Sequence, residues 1–221
     1  MTTRANAADL RAPRPSELAV LAAVLVALVA LDSDGRPLRA ALVYAREPLA
    51  AGEVWRLFTA HFVHEDLRHV SKNVGGLVLL WLLYRDAARP GAWLGVLAAS
   101  ALAIDLGLYA TAPGVEWYLG ASGVLHGAWA AGAVFTLARS RLEGVVMLSI
   151  LAIKLTVEQV LGPVSGDGGG LTVVTAAHGF GALGGFAAAA VRVARDWLAA
   201  GRESQSRGWA PTGMVRNSTR T

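Results

Sequence analysis

Ser122 lies in the run Gly120-Ala121-Ser122-Gly123 at the start of one apolar stretch, and His178 lies near the start of another. A serine hydroxyl is a poor nucleophile until a base takes its proton. Histidine titrates near neutrality and suits that task. The chemistry open to the pair is attack on a carbonyl carbon, and the oxyanion so created needs preorganised donors. His69 and Asn73 stand at i, i+4 on one face of a third apolar stretch and offer an imidazole N–H and an amide. The Ser122 backbone N–H is a third donor. Gly120 and Gly123 let a backbone pass close to a substrate without a Cβ clash.

The elements that must position these residues are membrane helices. The chain has 221 residues, of which 54% are hydrophobic and 16% charged, and its mean hydropathy is +0.46. A soluble domain carries nearer a quarter charged residues. The apolar residues fall into blocks that read as six helices, roughly 17–31, 68–84, 91–110, 120–138, 142–161 and 172–196. The expected fold is therefore all-α, a polytopic membrane protein built as a six-transmembrane-helix bundle. Residues 1–16 form an N-terminal segment, 17–196 the membrane domain, and 197–221 a polar, disordered tail. The first helix follows Arg4, Arg11 and Arg14 like a signal peptide, yet Leu31-Asp32-Ser33-Asp34 offers no small-x-small cleavage site. It reads as an uncleaved first span. With no cysteine in the chain, no disulfide or thiol contributes.

Basic residues assign the sides. Arg85 and Arg89, Arg139 and Arg141, and Arg195, Arg202 and Arg207 join the N-terminal arginines at one end of the bundle, while 111–119 and 162–171 hold no Lys or Arg. The positive-inside rule places both termini in the cytoplasm. The segment 32–67 opposes the rule with Arg36, Arg39, Arg46 and Arg56, and long loops obey it less strictly. The net charge of +4 thus serves topology; no basic patch with interleaved aromatics points to nucleic acid. On this arrangement Ser122, His178, His69 and Asn73 share one depth near the outer face, with His178 about two turns into its helix. Gly123 and Gly127 on one helix and Gly181 and Gly185 on another form small-xxx-small faces, through which the two helices could pack closely.

Other polar residues have plainer readings. Ser122 could be a packing serine, His178 a satisfied core histidine, and His69 and Asn73 helix-capping groups. Lys154 and Glu158 form an i, i+4 pair inside the fifth helix, either a structural bridge or a substrate-facing pair. Asp105 has no evident partner, and Trp55, Arg56, His61 and His64 read as an interfacial loop. His64-Glu65 with His69 evokes a zinc site, but i, i+5 spacing turns the second ligand about 140° away on a helix. No metal and no cofactor is expected.

These pieces in order resemble the rhomboid intramembrane serine proteases: Trp55-Arg56-Leu57-Phe58-Thr59, His64, His69, Asn73, Gly120-x-Ser122-Gly123, and Ala177-His178 followed by Gly181 and Gly185. A finer resemblance, through Gly120-Ala-Ser-Gly-Val-Leu-His126-Gly127 and Lys154-Leu-x-x-Glu158-Gln159-x-x-Gly162-Pro163, is to the rhombosortase branch. The resemblance implies Ser122 as nucleophile and His178 as general base, a dyad with no required acid. It implies His69 and Asn73 as oxyanion donors. The branch implies a bacterial inner-membrane endopeptidase with its site opening toward the periplasm. Its partners would be the lipid bilayer and a membrane-anchored protein with a C-terminal Gly-Gly motif and apolar helix. Many rhomboids carry a tyrosine stacked on the histidine where this chain has His126, which would modulate the base. The alternatives are an inactive relative that binds client helices, or a small transporter using Asp105, Lys154 and Glu158.

Overall fold

The computed structural model describes residues 36–162 and 174–208. Residues 1–35, which hold the N-terminal segment and the expected first helix 17–31, lie outside the described residues, as do 163–173 and 209–221. Among the described residues there are eight helices: α1 Arg36–Leu42, α2 Arg46–Ala50, α3 Arg56–Thr59, α4 Leu67–Tyr84, α5 Pro90–Thr111, α6 Ser122–Leu137, α7 Arg141–Leu161 and α8 Thr175–Gly208. The last five stand where the sequence placed them, to within a few residues at most boundaries. Local signals explain several ends. The Asp66 side chain accepts the His69 backbone N–H at 2.7 Å and caps α4. Pro90 opens α5, where its missing N–H costs nothing.

Two helices, α5 and α7, are long and apolar enough to cross a membrane, and the shorter α6 is apolar as well. Large apolar side chains line their outer surfaces, among them Leu94, Leu102 and Leu106 of α5 and Leu142, Ile153 and Val160 of α7. Such faces are stable against lipid and costly in water. The described residues are predominantly helical, and these apolar faces suit a lipid surround. The centre of the bundle is α6, a helix rich in alanine and glycine that is buried over most of its length, with α5 and α8 packed against it.

The bounds of the last helix need correction at both ends. The last helix does not end at 196, because α8 continues to Gly208. Ala199 and Ala200 are strong helix formers, and extending a nucleated helix is far easier than starting one. Residues 197–208 are thus helical where a disordered tail was expected. The last helix also begins at Thr175, so His178 sits in its first turn rather than two turns in. Beside the helices, a two-residue strand β1 (Tyr44–Ala45) pairs antiparallel with β2 (Trp117–Tyr118).

That short ladder ties the segment before α4 to the end of the bundle that carries Ser122. Arg46 continues it. Its guanidinium donates to the carbonyls of Leu108, Tyr109, Ala112 and Val115, at 2.6, 2.8, 3.1 and 3.1 Å, and so satisfies the open C-terminal end of α5. Arg56 is buried and donates to the carbonyls of Ala40 and Val43, both at 2.8 Å, and to the Glu53 carboxylate. Two of the arginines that oppose the positive-inside pattern therefore act as structural donors within this segment. Trp55 and Phe58 remain exposed on the same segment, as an interfacial element requires.

Helix α8 meets α6 backbone to backbone. A Cβ on Gly181 would collide with the Gly123 carbonyl, and one on Gly185 with that of Gly127. Gly179, on the same helix, faces open space. Gly185→Ala should lower the thermal midpoint in detergent by several degrees, reflecting an overpacking cost of about 1–3 kcal/mol, whereas Gly179→Ala should leave it unchanged.

His64, just before α4, is fully buried and edge-on to His69 at 5.0 Å. Burial, reinforced by the neighbouring His69, pushes its pKa from the ordinary 6.5 down to about 4. The unfolded chain therefore takes up a proton before the folded one does. The resulting stability is fully present above about pH 6.5 and is lost as the pH falls toward 4. Between pH 7 and pH 4.5 the wild type should lose up to about 2–3 kcal/mol more than His64→Leu, measured as unfolding midpoints at the two pH values.

Candidate active site

The chain reaches Ser122 through a turn that only glycine fits well. Gly120 has φ +107°, the left-handed region. Its N–H donates to the Ala60 carbonyl at 2.8 Å, and its own carbonyl accepts the Tyr118 hydroxyl at 2.8 Å. Burial pushes the Tyr118 pKa up, which keeps that hydroxyl a neutral donor. The turn explains why α6 starts at Ser122 and not at 120. Ser122 is the first residue of α6, where backbone N–H groups have no intrahelical partner.

Close packing brings the opposite group to it. A Cβ on Gly123 would stand 2.9 Å from the Ala177 carbonyl and 2.7 Å from Ile104 Cδ1. Gly123 thus faces α5 and α8 as a packing residue. With the backbones at that distance, the residues beside them face each other, and the Ser122 hydroxyl lies 3.0 Å from His178 Nε2. His178 is 5% exposed. Its other ring nitrogen, Nδ1, lies 2.9 Å from Oε2 of Glu158. A carboxylate only accepts, so Nδ1 carries the proton and Nε2 presents its lone pair to the serine. The remaining Glu158 oxygen accepts from the Lys154 ammonium one helical turn earlier. The expected dyad without an acid therefore meets a buried carboxylate on its histidine.

His126 fills the next layer. Its ring stacks on His178 with centroids 4.1 Å apart and planes 13° from parallel. Its Nδ1–H donates to the Ser122 carbonyl at 2.7 Å. Ligand atoms of His126, Glu158 and His178 lie within 4.8 Å of one another. The two rings are parallel, so their nitrogens point side by side instead of converging, and one carboxylate oxygen already holds Lys154. This is a stacked hydrogen-bonded set, a poor cage for a metal ion.

His69 and Asn73 approach from α4 on the far side of the turn. An ideal Cβ on Gly120 would stand 2.8 Å from His69 Nε2 and 3.7 Å from Asn73 Nδ2. Asn73 is buried, and its amide nitrogen has no partner among the described residues. Asn73 is not a helix cap, since Asp66 fills that position. A buried donor without an acceptor is costly unless an acceptor arrives during use. The Gly120 turn thus has the Ser122–His178 pair following it and the His69 and Asn73 side chains packed against it.

Asp105, which had no partner in the sequence reading, lies 3.4 Å from His61 Nε2, and both are buried. His61 in turn contacts the ring of Tyr118 edge-on at 5.8 Å. Tyr118 and Ala60, which hold the Gly120 turn, carried no sequence signal, because their roles depend on contacts across the chain.

No curated protein matches the chain in sequence. The family model that does match is the Rhomboid domain, over residues 51–195. That interval covers about two thirds of the chain and contains the β2–α6 turn and every residue of the site, so the chain belongs to the rhomboid family, whose members are generally intramembrane serine proteases.

Proposed function

We propose that this rhomboid protein is an active intramembrane serine endopeptidase of the rhombosortase type. The observation that carries the reading is the 3.0 Å approach of the Ser122 hydroxyl to His178 Nε2, at the end of a bundle whose outer faces are apolar. A peptide carbonyl seated between Ser122 and Asn73 is attacked by the hydroxyl as His178 takes its proton. The oxyanion forms near the Ser122 backbone N–H, the Asn73 amide and the His69 ring. His178 then passes its proton to the leaving amine, and water enters to hydrolyse the acyl-enzyme by the same base.

In this reading the chain spans the bilayer six times, with 17–31 as the first span and both termini cytoplasmic. The site opens to the periplasmic side of a bacterial inner membrane. The substrate is a membrane-anchored protein cut near its C-terminal apolar helix, and the resemblance to rhombosortases favours one with a Gly-Gly motif. An inactive client-binding relative would have no need of a serine hydroxyl on an imidazole, and a transporter would have no need of the buried Asn73 donor.

A fluorophosphonate probe should label the wild type, and Ser122→Ala and His178→Ala should lose labelling. Equal labelling of wild type and Ser122→Ala would refute the protease reading. Asn73→Ala should lower kcat by roughly 10²–10³-fold, as loss of one oxyanion donor does. KM should change little, because the contact is made in the transition state.

A further inference from the structure

We propose that Glu158 is a positioning residue for His178, so that the site works as a serine–histidine–carboxylate triad and not as a dyad. The proposal rests on the protease reading above and adds to it the group that orients the base.

Three observations carry it. First, Glu158 is 3% exposed, and its carboxylate reaches from α7 to α8 to lie 2.9 Å from His178 Nδ1. A bridge serving only to hold Lys154 needs no such reach, since i, i+4 groups meet on their own helix. Second, the two carboxylate oxygens are divided. Lys154 holds Oε1 and His178 holds Oε2. The ammonium fixes the carboxylate and leaves one oxygen for the imidazole. Third, among the described residues the hydrogen bond made by that ring nitrogen goes to Glu158. His126, the group packed on the His178 face, has its Nδ1–H committed to the Ser122 carbonyl.

The consequences are chemical. A carboxylate on Nδ1–H selects the tautomer whose Nε2 can accept the serine proton. When that proton arrives, the imidazolium gains an anionic partner in a site with little water to screen it. Ring orientation is fixed from two directions, by the carboxylate at the edge and by His126 on the face. The dyad expected from sequence lacks the first of these supports.

The test uses the full chain in detergent, with fluorophosphonate–rhodamine as the probe. Glu158→Gln should label Ser122 roughly 10²–10⁴-fold more slowly than wild type, with the thermal midpoint held within a few degrees. Labelling within about threefold of wild type would overturn the role of Glu158. If wild type labels and Ser122→Ala does not, that result would leave the protease reading standing. A wild type that fails to label overturns both. A second measurement keeps the proposal open to refutation even where Glu158→Gln folds poorly. In the unaltered protein with 15N-labelled histidine, the Nδ1 proton of His178 should appear far downfield, assigned by its loss in His178→Gln. A merely structural Lys154–Glu158 bridge gives no such resonance, and its absence overturns the triad.

Discussion

The contact on which the site depends is the backbone-to-backbone approach of α6 and α8. Gly123 and Gly127 face Gly181 and Gly185 with no room for a Cβ on the α8 side. In lipid there is little hydrophobic gain from bringing helices together, so association relies on close van der Waals fit and polar contacts. Side chains of ordinary size would hold the axes apart by several ångströms. The Ser122 hydroxyl and the His178 ring would then be out of hydrogen-bond range. The glycines thus serve stability and chemistry through one geometric fact.

A second constraint acts at the same end of the bundle. Helix termini leave carbonyls unsatisfied, and apolar surroundings make that expensive. Arg46 answers the carbonyls of Leu108 and Tyr109 in the last turn of α5 and those of Ala112 and Val115 just beyond it, and Arg56 ties down the segment leading to α4. With β1 paired to β2, this frame delivers Ala60 and Tyr118 to the two faces of Gly120. The turn before the serine is therefore built from chain segments sixty residues apart. Arg46 and Arg56 of the segment 32–67 are thus internal donors in this frame.

The polar groups of the site form a connected series from Lys154 through Glu158 and His178 to Ser122, with His126 stacked alongside. In a medium of low dielectric, each member is tolerable because the next one satisfies it. Asn73 breaks the pattern, since its amide donor is left unmatched among the described residues. In the proposed mechanism that unmatched donor, close to the Gly120 turn, is the group that would meet a transient oxyanion.

The sequence alone determined the helices and the inventory of reactive groups. Runs of apolar residues set α4 to α8 because backbone hydrogen bonds must close locally in lipid, and the glycine spacing named the two faces that would meet. It also singled out Ser122, His178, His69, Asn73 and His126, since polar groups stand out against an apolar background. Tertiary structure decided which of them touch. The carboxylate on His178 comes from another helix, the partner of Asp105 from the segment before α4, and the clamp on Gly120 from Ala60 and Tyr118. The Lys154–Glu158 pair reads as a local bridge in one dimension because i, i+4 spacing is visible there. The direction of the second carboxylate oxygen depends on how α7 is rotated against α8, and no local pattern encodes that rotation.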